Sequence, residues 1–157
     1  MSAATISARV RGLGLTLPAA NPPRGSYVPA VRAADLLFVA GQAPRLDGVL
    51  MFSGRVGRDL TIEQGREAAQ LCALNILGHL AQACGDDLTR VVGAVRLAGV
   101  VNCAEDFDAH SQVLDGASNL IAAVLGDAGR HARIATGASS LPSRMAVEVE
   151  AIFQLKP

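Results

Sequence analysis

Residues 146–153 read AVEVEAIF. Successive side chains of a strand leave opposite faces, so this alternation puts Val147, Val149, Ala151 and Phe153 on one face and Glu148, Glu150 and Ile152 on the other. The first set belongs in a core; the two glutamates point away from it, toward solvent or another subunit. An apolar strand face needs covering elements, and the chain supplies two helices upstream. Thr61 and Gln64 have the spacing of a capping box, in which the Thr hydroxyl accepts from an orphan amide and the Gln side chain returns to the cap amide. From there Ile62, Ala69, Ala73, Ile76, Leu77, Leu80 and Cys84 recur at helical spacing. Gln64, Glu67, Asn75 and Gln82 fall on the opposite side, and Gly85 is placed to end this long, one-faced helix. A second helix carries the stripe Val113, Leu114, Ala117, Leu120, Ile121, Val124 and Leu125, with Gly126 and Gly129 at its exit.

The remaining segments read as strands. Residues 27–32 and 36–41 are β-type runs separated by Ala33, Ala34 and Asp35, a length that suits a hairpin. Residues 91–101 are rich in Val, and residues 131–138 and 146–155 flank the Leu141-Pro142 turn. Residues 43–59 turn to Gly, Pro, Arg and Asp and read as an irregular loop with one short strand. The order strand, strand, helix, strand, helix, strand, strand predicts an α+β domain whose mixed sheet carries both helices on one face. Its other face requires a partner. Upstream, residues 17–25 (LPAANPPRG) hold three prolines, which remove backbone donors and keep the chain extended. Residues 1–26 are therefore expected to be a lead-in segment, and 27–157 a single domain.

Composition narrows the function. The chain has 157 residues, half of them hydrophobic and 18% charged, which suits one compact domain. Lys plus Arg is 14 and Asp plus Glu is 14, so no net field draws in DNA or anionic lipid. Zero net charge with a positive mean hydropathy means that apolar surface must be hidden, in a core or between subunits, so a homo-oligomer is expected. Three cysteines without CxxC spacing suggest neither a disulfide framework nor a zinc site and fit a reducing cytosol. No run is long enough for a signal sequence or a membrane span, so a cytoplasmic protein is expected. The loop SGRVG, residues 53–57, lacks the Lys-Ser/Thr of a phosphate loop.

The strings YVPAVRAADLLFVAGQAP (27–44), GRHARIATGASSLP (129–142) and AVEVEAIF (146–153) strongly resemble the RidA/YjgF family, also called L-PSP endoribonuclease-like. The longer N-terminus, the loop DGVLMFSGRVG and the run DGASNLIAAVLGDAGRHAR resemble a branch distinct from the best known imine deaminases. The resemblance implies a chorismate-mutase-like fold, a homotrimer with its sheets inside, active sites in clefts between subunits, and no cofactor. It implies a deaminase that hydrolyses 2-imino or enamino acids to 2-keto acids and ammonia. Matching ARxxxxxxxLP gives Arg133, nine residues before Pro142, as the group that grips a small substrate's carboxylate. A guanidinium suits that role, being charged at every working pH and able to donate two parallel hydrogen bonds. Glu148 matches the glutamate that orients the hydrolytic water and shuttles its proton. Gly41 matches a pocket glycine whose amide can approach a ligand, and Tyr27 a cleft tyrosine. Ala135 stands where deaminases often carry Cys or Ser, leaving only its carbonyl for the substrate.

Without the resemblance the same residues read differently. Arg133 would be a solvated or salt-bridged strand residue, Glu148 and Glu150 the wet face of a strand, and Tyr27 an ordinary half-buried aromatic. His79, His110 and His131 read as structural, with His131 singled out as close to Arg133 on the same strand face. Two other functions remain open at this point: a noncatalytic binder of small carboxylates acting in regulation, and a ribonuclease using a basic patch of Arg45, Arg55 and Arg58.

Overall fold

The computed structural model describes residues 4–157. Its first element is helix α1 (Ile6–Gly12), capped by the Thr5 hydroxyl, which accepts from the Ala8 amide at 3.0 Å. Ile6 and Val10 on its inner side are fully buried. The chain then forms β1 (Ala30–Ala33), β2 (Leu36–Gln42), a small hairpin of β3 (Arg45–Leu46) and β4 (Val49–Leu50), α2 (Ile62–Cys84), β5 (Val91–Asn102), α3 (His110–Leu125), β6 (Ala132–Ala138) and β7 (Val147–Leu155). The main sheet runs β1-β2-β7-β5-β6. All its pairings are antiparallel except β5 with β6, which α3 joins as a crossover. The fold is thus α+β with a mixed sheet, as the periodicities predict.

Helices α2 and α3 cover one sheet face. The capping box of α2 is complete: the Gln64 amide donates to Thr61 Oγ1 at 3.2 Å, and the Thr61 amide to Gln64 Oε1 at 2.9 Å. Gly85 ends the helix in the left-handed conformation, at φ 67°. Val147, Val149, Ala151 and Phe153 are buried beneath the helices, as the alternation of β7 requires. Gly116 sets the spacing of the two helices. A methyl there would lie 2.8 Å from the carbonyl carbon of Arg66, so only glycine lets α3 approach the α2 backbone this closely.

Two expectations need correcting. Residues 1–26 are not simply a lead-in, because α1 supplies core side chains and Leu15 and Leu17 pack against the same core. Nor is α2 one-faced. Ile62 is exposed, and residues 74–81 are buried without interruption, Asn75 among them. The two corrections share one cause: the N-terminal segment lies over the outer side of α2, where the Pro18 carbonyl comes so close to Gly78 that an added Cβ would sit 2.7 Å from it. Covered by sheet on one side and by this segment on the other, residues 74–81 of α2 have no wet face, and exposure returns only at Gln82.

The other sheet face is open. Val31, Phe38, Val92 and Ile134 are exposed, and the polar side chains there include the pair Arg96–Glu150 at 3.4 Å. Among the described residues no helix is long and apolar enough to cross a membrane.

Candidate functional site

At one end of the sheet β2 leaves its regular pairing with β7. Val39 faces Ala151 and Gln42 faces Val149, so an extra residue is accommodated between them. Such a bulge re-aims side chains where a strand meets a site. The Gln42 side chain spans it, donating to the Ala40 carbonyl at 3.0 Å. Gly41 lies in the bulge, and the Glu148 side chain passes directly over its α-carbon: a Cβ at 41 would stand 2.8 Å from Glu148 Cδ and 2.9 Å from Cγ. Glycine is needed at 41 for a reason beyond the expected approach of a ligand to its amide. It makes room for the glutamate.

Glu148 and Gly41 line a cavity of about 380 Å³ together with Arg24, Tyr27, Ala43, Arg45, Pro142, Ser143 and Met145. That volume is in the range of small-molecule sites. A narrow annex of about 60 Å³ runs on between residues 21–24 and 41–45. The cavity mouth is braced by a turn (Pro142–Arg144) whose Ser143 and Arg144 both have left-handed backbones, φ 55° and 58°. Two consecutive non-glycine residues in that region store strain. The Gly54 amide, donating to the Arg144 carbonyl at 2.8 Å, holds them there.

The Glu148 carboxyl titrates above the ordinary carboxylate value, first because burial disfavours its charged form and second because Glu150 repels it. Among the described residues no ion pair reaches it. Tyr27 is half exposed at the rim, and its hydroxyl accepts from the Arg24 amide at 3.4 Å. Arg24 Nη2 and Arg45 Nη1 both donate to the Gly48 carbonyl, at 3.3 and 3.0 Å.

Arg133 is elsewhere. In register it sits beside Leu97, which in turn faces Ala151, so it shares the helix-covered face of the sheet while Glu148 belongs to the open one. Its Nη1 donates to Asp115 Oδ1 at 2.8 Å and to Ser118 Oγ at 3.1 Å, and its Nη2 to Ser111 Oγ at 2.7 Å. The guanidinium is therefore neutralised by α3 of its own chain. His131 Nε2, 2.9 Å from Ser118 Oγ, completes a chain from His131 through Ser118 to Arg133, the proximity that the period of two suggests. Ala135 follows Arg133 on the same face. Within one chain, then, Tyr27, Gly41 and Glu148 are brought together and Arg133 and Ala135 are not.

Sequence reasoning missed Arg24 and Asn75. Asn75 Nδ2 is within hydrogen-bond reach of the carbonyls of Ala43 at 3.2 Å and Arg45 at 2.9 Å, and its Oδ1 accepts from Asn21 at 2.8 Å. It thereby ties both walls of the annex to α2. The signal was an amide in step with Ala68, Cys72 and His79 rather than opposite them. The expected arginine patch divides: Arg45 belongs to the Glu148 cavity, whereas Arg55 and Arg58 line another of about 180 Å³ with Arg144. A further cavity, about 350 Å³, places Cys103 Sγ 3.5 Å from His110 Nε2. All three cysteines are free and buried.

Residues 7–153 match the family described as "YjgF/chorismate_mutase-like, putative endoribonuclease". Protein TCP17 of Trypanosoma cruzi is 41% identical over 151 residues, which cover 96% of this chain and 94% of that one. The crystal structure of protein Atu1372 from Agrobacterium tumefaciens is 43% identical, with a TM-score of 0.88 over 96% of this chain and 92% of that one. A Shewanella oneidensis crystal structure, described as that of a "putative endoribonuclease", is 34% identical, with a TM-score of 0.92 over 96% and 99% of the two chains.

Proposed function

The chain belongs to the YjgF/chorismate-mutase-like family, and from that premise we propose that it hydrolyses 2-imino or enamino acids to 2-keto acids and ammonia. The observation that carries this reading is Glu148, a carboxyl raised by burial, laid across Gly41 on the wall of a small-molecule cavity. A general base works best when its pKa approaches the working pH, and burial moves a carboxylate in that direction. Its carboxylate accepts a proton from water as the water oxygen bonds to the imine carbon. That proton passes to the nitrogen to give a carbinolamine; the carboxylate then takes the hydroxyl proton and delivers it to the same nitrogen as C=O forms and the C–N bond breaks, so ammonia leaves carrying both protons of the water and the keto acid stays behind. Imines are electrophilic enough for orientation and one proton shuttle to suffice.

The carboxylate grip of Arg133 belongs to the same proposal through assembly. Arg133 and Glu148 leave opposite faces of one sheet, so a site that uses both takes them from two chains. A homotrimer with the exposed apolar face of Val31, Phe38, Val92 and Ile134 inside supplies that arrangement. For the guanidinium to grip a substrate it must exchange Asp115 for the ligand, a swap of one carboxylate for another.

The test generates imino acids in situ from several amino acids with an amino-acid oxidase and follows keto-acid release across pH. Acceleration by wild type, with an acid limb above the ordinary Glu pKa that is absent in Glu148→Gln, supports the reading. No acceleration across the panel by intact protein overturns it. A second reading, in which the protein binds small carboxylates without turnover, requires ligand-dependent thermal stabilisation and no catalysis.

A further inference from the structure

The cavity that holds Glu148 is also lined by two arginines. Arg24 and Arg45 converge on a single acceptor, the Gly48 carbonyl, so their guanidiniums are close neighbours. Among the described residues neither forms an ion pair. Arg45 Nε is shielded from water and has no hydrogen-bond partner, which leaves a donor of a charged group unsatisfied. Burial and the charge of Arg24 both weaken the hold of Arg45 on its proton. Two like charges held together at one carbonyl form an arrangement that an oxyanion relieves, since its oxygens can accept from the Nη groups of both guanidiniums.

The arginines are also held in place. Arg45 begins β3, and its carbonyl is tied to α2 by the buried Asn75, which in turn takes the Asn21 side chain three residues before Arg24. Glu148 lines the same cavity yet pairs with neither guanidinium. Separated positive and negative groups that do not neutralise each other leave both available to a ligand.

We propose that Arg24 and Arg45 form an anion subsite in this cavity, which takes a second carboxylate or a phosphate on a substrate whose reacting end faces Glu148. The subsite stands on the cavity itself; its use by an imino acid rests on the hydrolase reading. It makes the preferred substrates 2-imino acids with an anionic side chain. Apolar ones fit the same space without offsetting the charge of the two guanidiniums.

The experiment measures binding of three stable keto acids to the full-length protein by calorimetry. They are 2-oxoglutarate, 2-oxopentanoate, which has the same carbon count without the distal carboxylate, and 3-phosphohydroxypyruvate, which carries a phosphate. Wild type is expected to bind at least one of the anionic pair at least tenfold more tightly than 2-oxopentanoate, and the tighter of the two identifies carboxylate or phosphate as the recognised group. Arg24→Ala and Arg45→Ala should each abolish the preference, and Arg45→Lys, which keeps the charge but not the fork, should keep part of it. Equal affinity for all three in wild type, or a preference that survives both alanine variants, overturns the proposal. If the preference is present and no imine is hydrolysed, the subsite stands and the hydrolase reading falls.

Discussion

Replacing Gly41 by alanine isolates the placement of Glu148 from its chemistry. The added methyl would stand 2.8–2.9 Å from Glu148 Cδ and Cγ, whereas carbon atoms rest at about 3.5–4.0 Å, so the carboxylate must retreat by roughly 1 Å. It has space to do so, because it borders a cavity of about 380 Å³. Misplacing a reacting group by about 1 Å can cost on the order of 100-fold in rate. The backbone at 41 is not left-handed, so alanine adopts it without strain and also restricts the unfolded chain, a gain of about 0.4–1 kcal/mol. The expected outcome is a split: kcat/KM for imine hydrolysis falls by about 10- to 100-fold while the Tm holds or rises. The assay is the coupled keto-acid reaction beside a thermal melt, for wild type, Gly41→Ala, Glu148→Gln and the double variant. If glycine acts only through Glu148, the double variant is no slower than Glu148→Gln alone. Wild-type activity in Gly41→Ala, or a loss no greater than its loss of folded protein, refutes the reasoning.

Two further outcomes follow from α2. His79 is 1% exposed with neither ring nitrogen partnered, and burial lowers its pKa. Below the unfolded His value of about 6.5, the unfolded chain therefore binds a proton that the folded chain refuses, and stability is lost as pH falls from there toward the lower folded pKa. Urea midpoints at several pH values should show this dependence in wild type and a shallower one in His79→Leu; equal slopes would show that His79 is not its source. Asn75→Leu leaves the carbonyls of Ala43 and Arg45 without their shared donor, at about 1–3 kcal/mol. At roughly 2–4 °C per kcal/mol for this size, the Tm should drop by several degrees and keto-acid affinity should weaken with it. An unchanged melt and unchanged affinity would refute the anchoring role.

What the sequence revealed was whatever depends on local periodicity. The alternation in β7 fixed which side chains of 147–153 are buried, and the Thr61–Gln64 spacing located the start of α2. Both are near-neighbour effects, set by pleat and cap geometry. Asn75 was misassigned because a second layer, the N-terminal segment, covers the side of α2 that a two-layer domain would leave wet. The same three prolines that read as the end of a lead-in instead hold that segment extended along the helix. Arg133 and Glu148 were selected by spacing, which says nothing about sheet face. Their strands are two apart in the sheet order, and their registers were not readable before the pairing was known.

That difference of face constrains any mechanism. A strand residue can change rotamer but cannot cross its own sheet, so no motion of side chains brings Arg133 to Glu148 within one chain. Two positive groups therefore compete for the role of anion partner to Glu148, and they differ in what they demand. Arg133 demands a second subunit and the release of Asp115. Arg24 and Arg45 demand neither, being already beside the same cavity and, among the described residues, free of acid partners. A substrate with one carboxylate can satisfy only one of these sets, and a substrate with two anionic groups can satisfy both at once. On the assembly proposed above, a doubly anionic ligand is the one for which assembly and cavity would reinforce each other, since it would bridge a guanidinium brought by a neighbour to a pair fixed in the chain that holds Glu148.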